Sequence, residues 1–131
     1  MALIGPLKLK AQILCGEELA MGPGKADLLE AIVQEGSISA AGRKLGMSYR
    51  RAWLLVDAMN RCWTQPLVEA TPGGGEGRGT RLTPLGLEIL AAYRLLEAAL
   101  AKAAEEPVKA LERRLLETPR LSQHEGLEPQ A

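Results

Sequence analysis

Ser48, Tyr49, Arg50 and Arg51 are the residues of this 131-residue chain best placed for polar chemistry, because they stand consecutively where a helix should begin. A guanidinium in the first turn of an exposed helix can hold guanine O6 and N7 with two parallel hydrogen bonds, or grip a flanking phosphate. Serine and tyrosine hydroxyls can donate to the same partners. Trp53, four residues after Tyr49, can flank a groove or pack against the domain. Ser39 upstream, with Arg78 and Arg81 downstream, completes the candidate set for contact with double-stranded DNA. Arg43 and Lys44 can meet the nucleic-acid backbone or simply face water. Catalysis has little to draw on. His124 is the only histidine and lies near the C-terminus, so neither a Ser/His/Asp set nor a metal site can be assembled, and neither enzyme activity nor a cofactor is expected.

Those residues need a scaffold, and residues 36–63, GSISAAGRKLGMSYRRAWLLVDAMNRCW, supply its pattern. Ser37 and Ser48 are each suited to cap a helix, since a hydroxyl can accept from the free N–H groups of the first turn. Between the two helices, Gly46 can take the positive φ of a tight corner. Ala52, Leu55, Val56 and Met59 form the inner side of the second helix. Two helices joined by a short glycine-bearing turn make a helix-turn-helix. A helix of about 10–12 Å diameter fits the major groove and meets base edges with its N-terminal residues.

Upstream, Leu7 to Cys15 alternates apolar and polar residues, which predicts one half-buried strand, with Glu18 to Met21 returning beside it. Lys25 to Glu35 reads as a helix with Leu28, Leu29, Ile32 and Val33 inward, ended by Gly36. Downstream, Leu67–Thr71 and Thr80–Leu82 read as strands flanking the glycine-rich stretch 72–79, a hairpin that forms the wing of a winged helix. The same stretch can be read as a plain connector, or more weakly as an anion nest. It lacks the Gly-Lys-Ser/Thr end of a phosphate-binding loop. Thr83 caps the next helix and Pro84 opens it, where a missing N–H costs nothing. That helix is expected to reach about Glu106 and to be interrupted at Pro107, with Val108 to Glu117 as a separate amphipathic segment. Its length of roughly 34 Å exceeds what a small domain covers. The stripe Leu85, Ile89, Leu90, Tyr93, Leu96 and Leu100 is therefore expected to face a second copy.

The fold class is thus mainly α with a small β wing. Residues 1–82 form the winged helix-turn-helix, 83–117 a dimerisation helix with a short amphipathic segment, and 118–131 a disordered tail. Net charge is zero, but residues 37–63 hold five basic side chains against one acid, a local footprint rather than a nucleic-acid coat. Cys15 and Cys62 are distant in sequence and read as reduced thiols, Cys62 as a core thiol. No stretch resembles a signal peptide or a membrane span, so a soluble cytoplasmic protein without membrane contact is expected.

Gly36-Ser37-Ile38-Ser39, Gly46-Met47-Ser48-Tyr49, Ala52-Trp53, Met59-Asn60, Leu67-Val68-Glu69 and the polyglycine stretch into Leu82-Thr83 together resemble one family. It is the N-terminal winged-helix domain of the molybdate-responsive (ModE-type) regulators, related to the DNA-binding domain of LysR-type regulators. The resemblance spans about residues 7 to 105. It implies a homodimer joined through the helix after the wing, two recognition helices on a palindromic operator, and control of molybdate or oxyanion genes. Full-length members carry C-terminal oxyanion-binding domains. The 27 residues after Ala104 are too few for one, so sensing would fall to a separate oxyanion-binding protein. A winged helix that docks a protein instead, or a small oxyanion sensor built on the glycine-rich loop, is the alternative.

Overall fold

The computed structural model describes residues 1–71 and 79–122. Two antiparallel hairpins open the chain: β1 (Ala2–Ile4) with β2 (Leu7–Leu9), and β3 (Ile13–Cys15) with β4 (Glu18–Met21). The period-two burial expected from Leu7 onward is present, since Leu7, Leu9, Ala11 and Ile13 are all half-buried. One continuous strand is not. The segment pairs first with β1 and then with β4, and residues 10–12 bridge the two hairpins. Alternation reports which side chains face inward and is blind to a change of backbone partner.

Helix α1 (Pro23–Glu35) contributes Ala26, Leu28, Leu29, Ala31 and Ile32 to the core and ends at Gly36, whose N–H returns to Ile32 O. Val33, expected inside, is exposed. Helix α2 (Ile38–Lys44) starts at Ser37, whose Oγ accepts from Ala40 N at 3.1 Å. Gly46, at φ 73°, turns the chain into α3 (Tyr49–Cys62), which places Ala52, Val56, Ala58 and Met59 inside. Strands β5 (Val68–Ala70) and β6 (Thr80–Leu82) pair antiparallel with Glu69 opposite Arg81. Thr71 N donates to Gly79 O, and Thr80 N to Gly36 O, tying the returning strand to the end of α1.

Helix α4 (Pro84–Glu112) has the expected start: Thr83 Oγ1 accepts from Gly86 N at 2.9 Å and donates to Pro66 O at 2.8 Å. Gly86 lets the helix lie directly on the chain, because a Cβ there would stand 2.1 Å from Leu67 O. The expected interruption at Pro107 is absent. The helix continues for 29 residues, about 44 Å, so that the expected segment is the end of α4 as far as Glu112 and non-helical from Arg113 to Glu117. A proline in a helix interior costs roughly 3 kcal/mol against alanine. Here the cost is offset by packing: α4 lies against β1 and β2, Val108 is buried, and Glu112 sits beside Gly5 in the β1–β2 turn. Tyr93 Oη donates to Ala11 O at 2.7 Å, and the Met1 amino group meets Glu97 Oε2 at 3.0 Å. Residues 118–122 are exposed and outside any helix, and the rest of the expected tail lies outside the described residues.

The core is built by β4, α1, α2, α3, β5, β6 and the first half of α4, with Met21, Leu28, Leu29, Ile32, Met59 and Leu67 fully buried. Part of the expected dimerisation stripe turns out to serve it. Tyr93 is 4% exposed, and Leu85, Ile89 and Leu90 pack against the same cluster. Tyr93 is therefore part of the core of the single chain, because the N-terminal hairpins and α1 cover a face of α4 that length alone had left open.

Candidate nucleic-acid interface

The turn between α2 and α3 is closed by Met47 N donating to Gly42 O at 2.9 Å and Gly46 N donating to Arg43 O at 3.1 Å. Ser48 Oγ then accepts from Arg51 N at 3.1 Å, so the Ser48 hydroxyl both starts α3 and lies at its exposed end. No acid occupies that first turn. Tyr49, Arg50 and Arg51 are all exposed.

The arginines of the described winged helix-turn-helix and of the α4 segment against α1 separate into two groups. Arg61 is held by Asp57 at 3.0 Å and Glu18 at 3.5 Å, and Arg81 by Glu69 at 3.0 Å across the wing strands. Arg43 Nη1 donates to Ser39 Oγ at 2.8 Å, while Lys44 reaches Gln34 and Glu35. Arg94 is clamped by Asp27, Glu30 and Glu97, far from α3's first turn. Burial opposes the Arg94 charge, but its three carboxylate partners hold its pKa above the ordinary value. Among the described residues, the Arg50 and Arg51 side chains make no hydrogen bond or ion pair. Both guanidiniums are exposed to solvent. Arg81 keeps its expected place on the wing but arrives already neutralised, and Ser39 serves to hold Arg43. Arg78 and the stretch from Pro72 lie outside the described residues.

Trp53 is 46% exposed, on the solvent face of α3, rather than packed into the domain. Leu54, beside it, is equally exposed and was not among the expected contacts. Their spacing carried the signal: Ala52, Val56 and Met59 set the buried side, which puts residues 53 and 54 outside it. Lys25 is buried at the start of α1 and lines an indentation with Glu18, Ser48 and Arg51. Desolvation lowers its pKa, with Glu18 opposing. Asn60 was quoted only as part of a motif, and its role is geometric. Oδ1 accepts from Leu67 N at 2.8 Å and Val68 N at 3.1 Å, and Nδ2 donates to Val68 O at 3.1 Å. This amide fastens the wing to the helix that the arginines occupy.

The two thiols are not apart in space. Cys62, at the end of α3, lies near Cys15 of β3, and its pKa is raised by desolvation first and by that neighbouring thiol second. A sequence separation of 47 hides that nearness, which is made by the same β3–β4 hairpin that carries Glu18 to Arg61.

The match to known proteins falls on this same region. The sequence model of the bacterial regulatory helix-turn-helix protein, lysR family, matches residues 25–87. Molybdenum-pterin-binding protein MopB of Rhodobacter capsulatus is 47% identical over 91 residues, 70% of this chain and 34% of that protein. Molybdenum transport protein ModE of Azotobacter vinelandii is 45% identical over 78 residues, covering 60% and 29%. The DNA-binding transcriptional dual regulator ModE of Escherichia coli K12 is 37% identical over 90 residues, covering 69% and 33%. The chain spans about a third of the length of these curated relatives. Among solved structures, the crystal structure of the CbnR_DBD–DNA complex matches with TM-score 0.52 at 24% identity, over 66% of this chain and 95% of that one. The winged helix-turn-helix fold is shared.

Proposed function

We propose, from the premise that residues 25–87 are a regulatory helix-turn-helix of the lysR family with ModE-type relatives, that this protein is a sequence-specific double-stranded DNA-binding transcriptional regulator acting as a homodimer. The observation that carries the reading is the start of α3. Two exposed arginines without partners among the described residues stand in a capped first turn that has no acid, while Arg61, Arg81 and Arg94 are each matched to a carboxylate. Arg50 and Arg51 read guanine edges or grip phosphates, and Ser48, Tyr49 and Trp53 flank them. Molybdate or oxyanion transport and metabolism genes are the proposed targets, on the strength of what the relatives are called. A separate oxyanion-binding protein is a further proposed partner.

The second copy binds along α4. Leu85, Ile89, Ala92, Leu96, Ala99 and Ala103 recur at the 4-3 spacing of a helix–helix seam, and each is half-buried or exposed in the single chain. Beside that seam runs an apolar groove of about 190 Å³ lined by Ile13, Met21, Trp63, Ile89 and Leu96. Leu100, 39% exposed, continues the strip. No described helix is long and apolar enough to cross a membrane.

Selection of duplexes from a random pool with the purified protein tests the reading. Enrichment of a two-fold symmetric site, its halves about one helical turn or a multiple apart, is the expected result. Recovery of unselected sequence would leave only the fold standing.

A further inference from the structure

The solvent face of α3 carries an apolar feature that charge alone does not explain. Tyr49 is 57% exposed, and Trp53 and Leu54 are each 46% exposed. The pairs Tyr49–Trp53 and Arg50–Leu54 are each four residues apart, so their side chains are neighbours one turn up the helix. All four line one shallow indentation of about 300 Å³. An exposed apolar patch rimmed by polar groups marks an interaction surface. Its partner must also be anionic, because Arg50 lines it and the one acid of this helix, Asp57, is already paired with Arg61. Duplex DNA joins both properties. Its flanks are phosphates, and the C5-methyl of thymine is the apolar group that the major groove presents among the base edges.

We infer that Leu54 and Trp53 read thymine C5-methyl groups beside a guanine read by Arg50, so that the preferred half-site contains a G with an adjoining T. The inference rests on the DNA-binding reading and deepens it. Leu54 supplies the methyl contact from one turn above Arg50, and the Trp53 ring closes the other side. Tyr49, one turn below Trp53, bounds the indentation toward the start of the helix.

The test replaces each thymine of a selected duplex, one at a time, with uracil, which removes the methyl and leaves the hydrogen-bonding edge intact. Wild-type protein should lose roughly fourfold in affinity at a thymine beside the essential guanine, about the worth of one buried methyl. Leu54→Ala should bind the thymine duplex about as weakly as wild type binds the uracil duplex, and should be indifferent to that substitution. The uracil scan on wild type needs no variant, so a misfolded Leu54→Ala would not rescue the inference. Selective binding with no uracil-sensitive position overturns this inference alone, and would leave the patch to a protein partner. No selective binding to any duplex overturns the DNA-binding reading and this inference with it.

Discussion

Asn60 holds Val68 from both sides, its Oδ1 accepting from Val68 N and its Nδ2 donating to Val68 O, each at 3.1 Å. The recognition helix and the first wing strand are therefore one rigid unit, although a Pro-bearing turn separates them in sequence. Asn60→Ala should cost about 2–3 kcal/mol in urea unfolding, because it strands two backbone N–H groups that the half-buried amide had satisfied. Loss of less than about 0.5 kcal/mol would mean that water replaces the amide and the coupling is weak.

Continuity of α4 through Pro107 has its own consequence. If the helix runs unbroken, Pro107→Ala should restore a backbone bond and stabilise the protein, by up to about 3 kcal/mol. Were the chain broken at that position, the same change would be near neutral. Thermal and denaturant unfolding of the two proteins separates the cases.

Glu97 accepts from Arg94 Nη1 at 2.8 Å and from the Met1 amino group at 3.0 Å. Burial alone would raise its pKa, but these two cations outweigh it and the net shift is downward. The unfolded chain then takes up this proton at a higher pH than the folded one. The stability contributed by the pairing is complete above the ordinary glutamate value of about 4.3 and is lost as pH falls through the lower folded value. Glu97→Gln should accordingly be less stable at neutral pH and show a shallower acid limb. An acid limb of unchanged slope would show that Glu97 does not govern it.

Ala99 is exposed in the single chain and lies on the 4-3 strip of α4. Ala99→Glu should leave the monomer's unfolding midpoint unchanged while shifting sedimentation at micromolar concentration from dimer to monomer. A wild-type protein that sediments as a monomer at every concentration would remove the paired half-sites.

The sequence made most of this architecture readable because much of it is set locally. Ser37, Ser48 and Thr83 cap where hydroxyls precede apolar periodicity, and Gly36 and Gly46 turn where a positive φ is needed. Exposure of Arg50 and Arg51 followed from the buried side of α3. What stayed hidden is tertiary. Strand β1 exists through its pairing with β2, and Pro107 stays helical through packing against those strands. Tyr93 turns inward to Ala11, 82 residues away, and Arg81 is neutralised by Glu69 across a hairpin. The nearness of Cys15 to Cys62 belongs to the same class, since neither thiol has a local signal. Side-chain periodicity gives a face, but not what will cover it.

The proposal that α3 reads DNA through Arg50 and Arg51, unpaired among the described residues, is tested most directly by affinity as a function of salt. Wild type, Arg50→Ala, Arg51→Ala and Arg81→Ala are titrated on the same selected duplex and on a scrambled one. A residue that reads a base should cost about 1–3 kcal/mol on the selected duplex alone. One that grips a phosphate should weaken both duplexes and make the slope of log K against log salt shallower by about one unit. Arg81, already paired, should change either quantity less than Arg50 or Arg51 does. Unaltered affinity and slope in both Arg50→Ala and Arg51→Ala would contradict the claim.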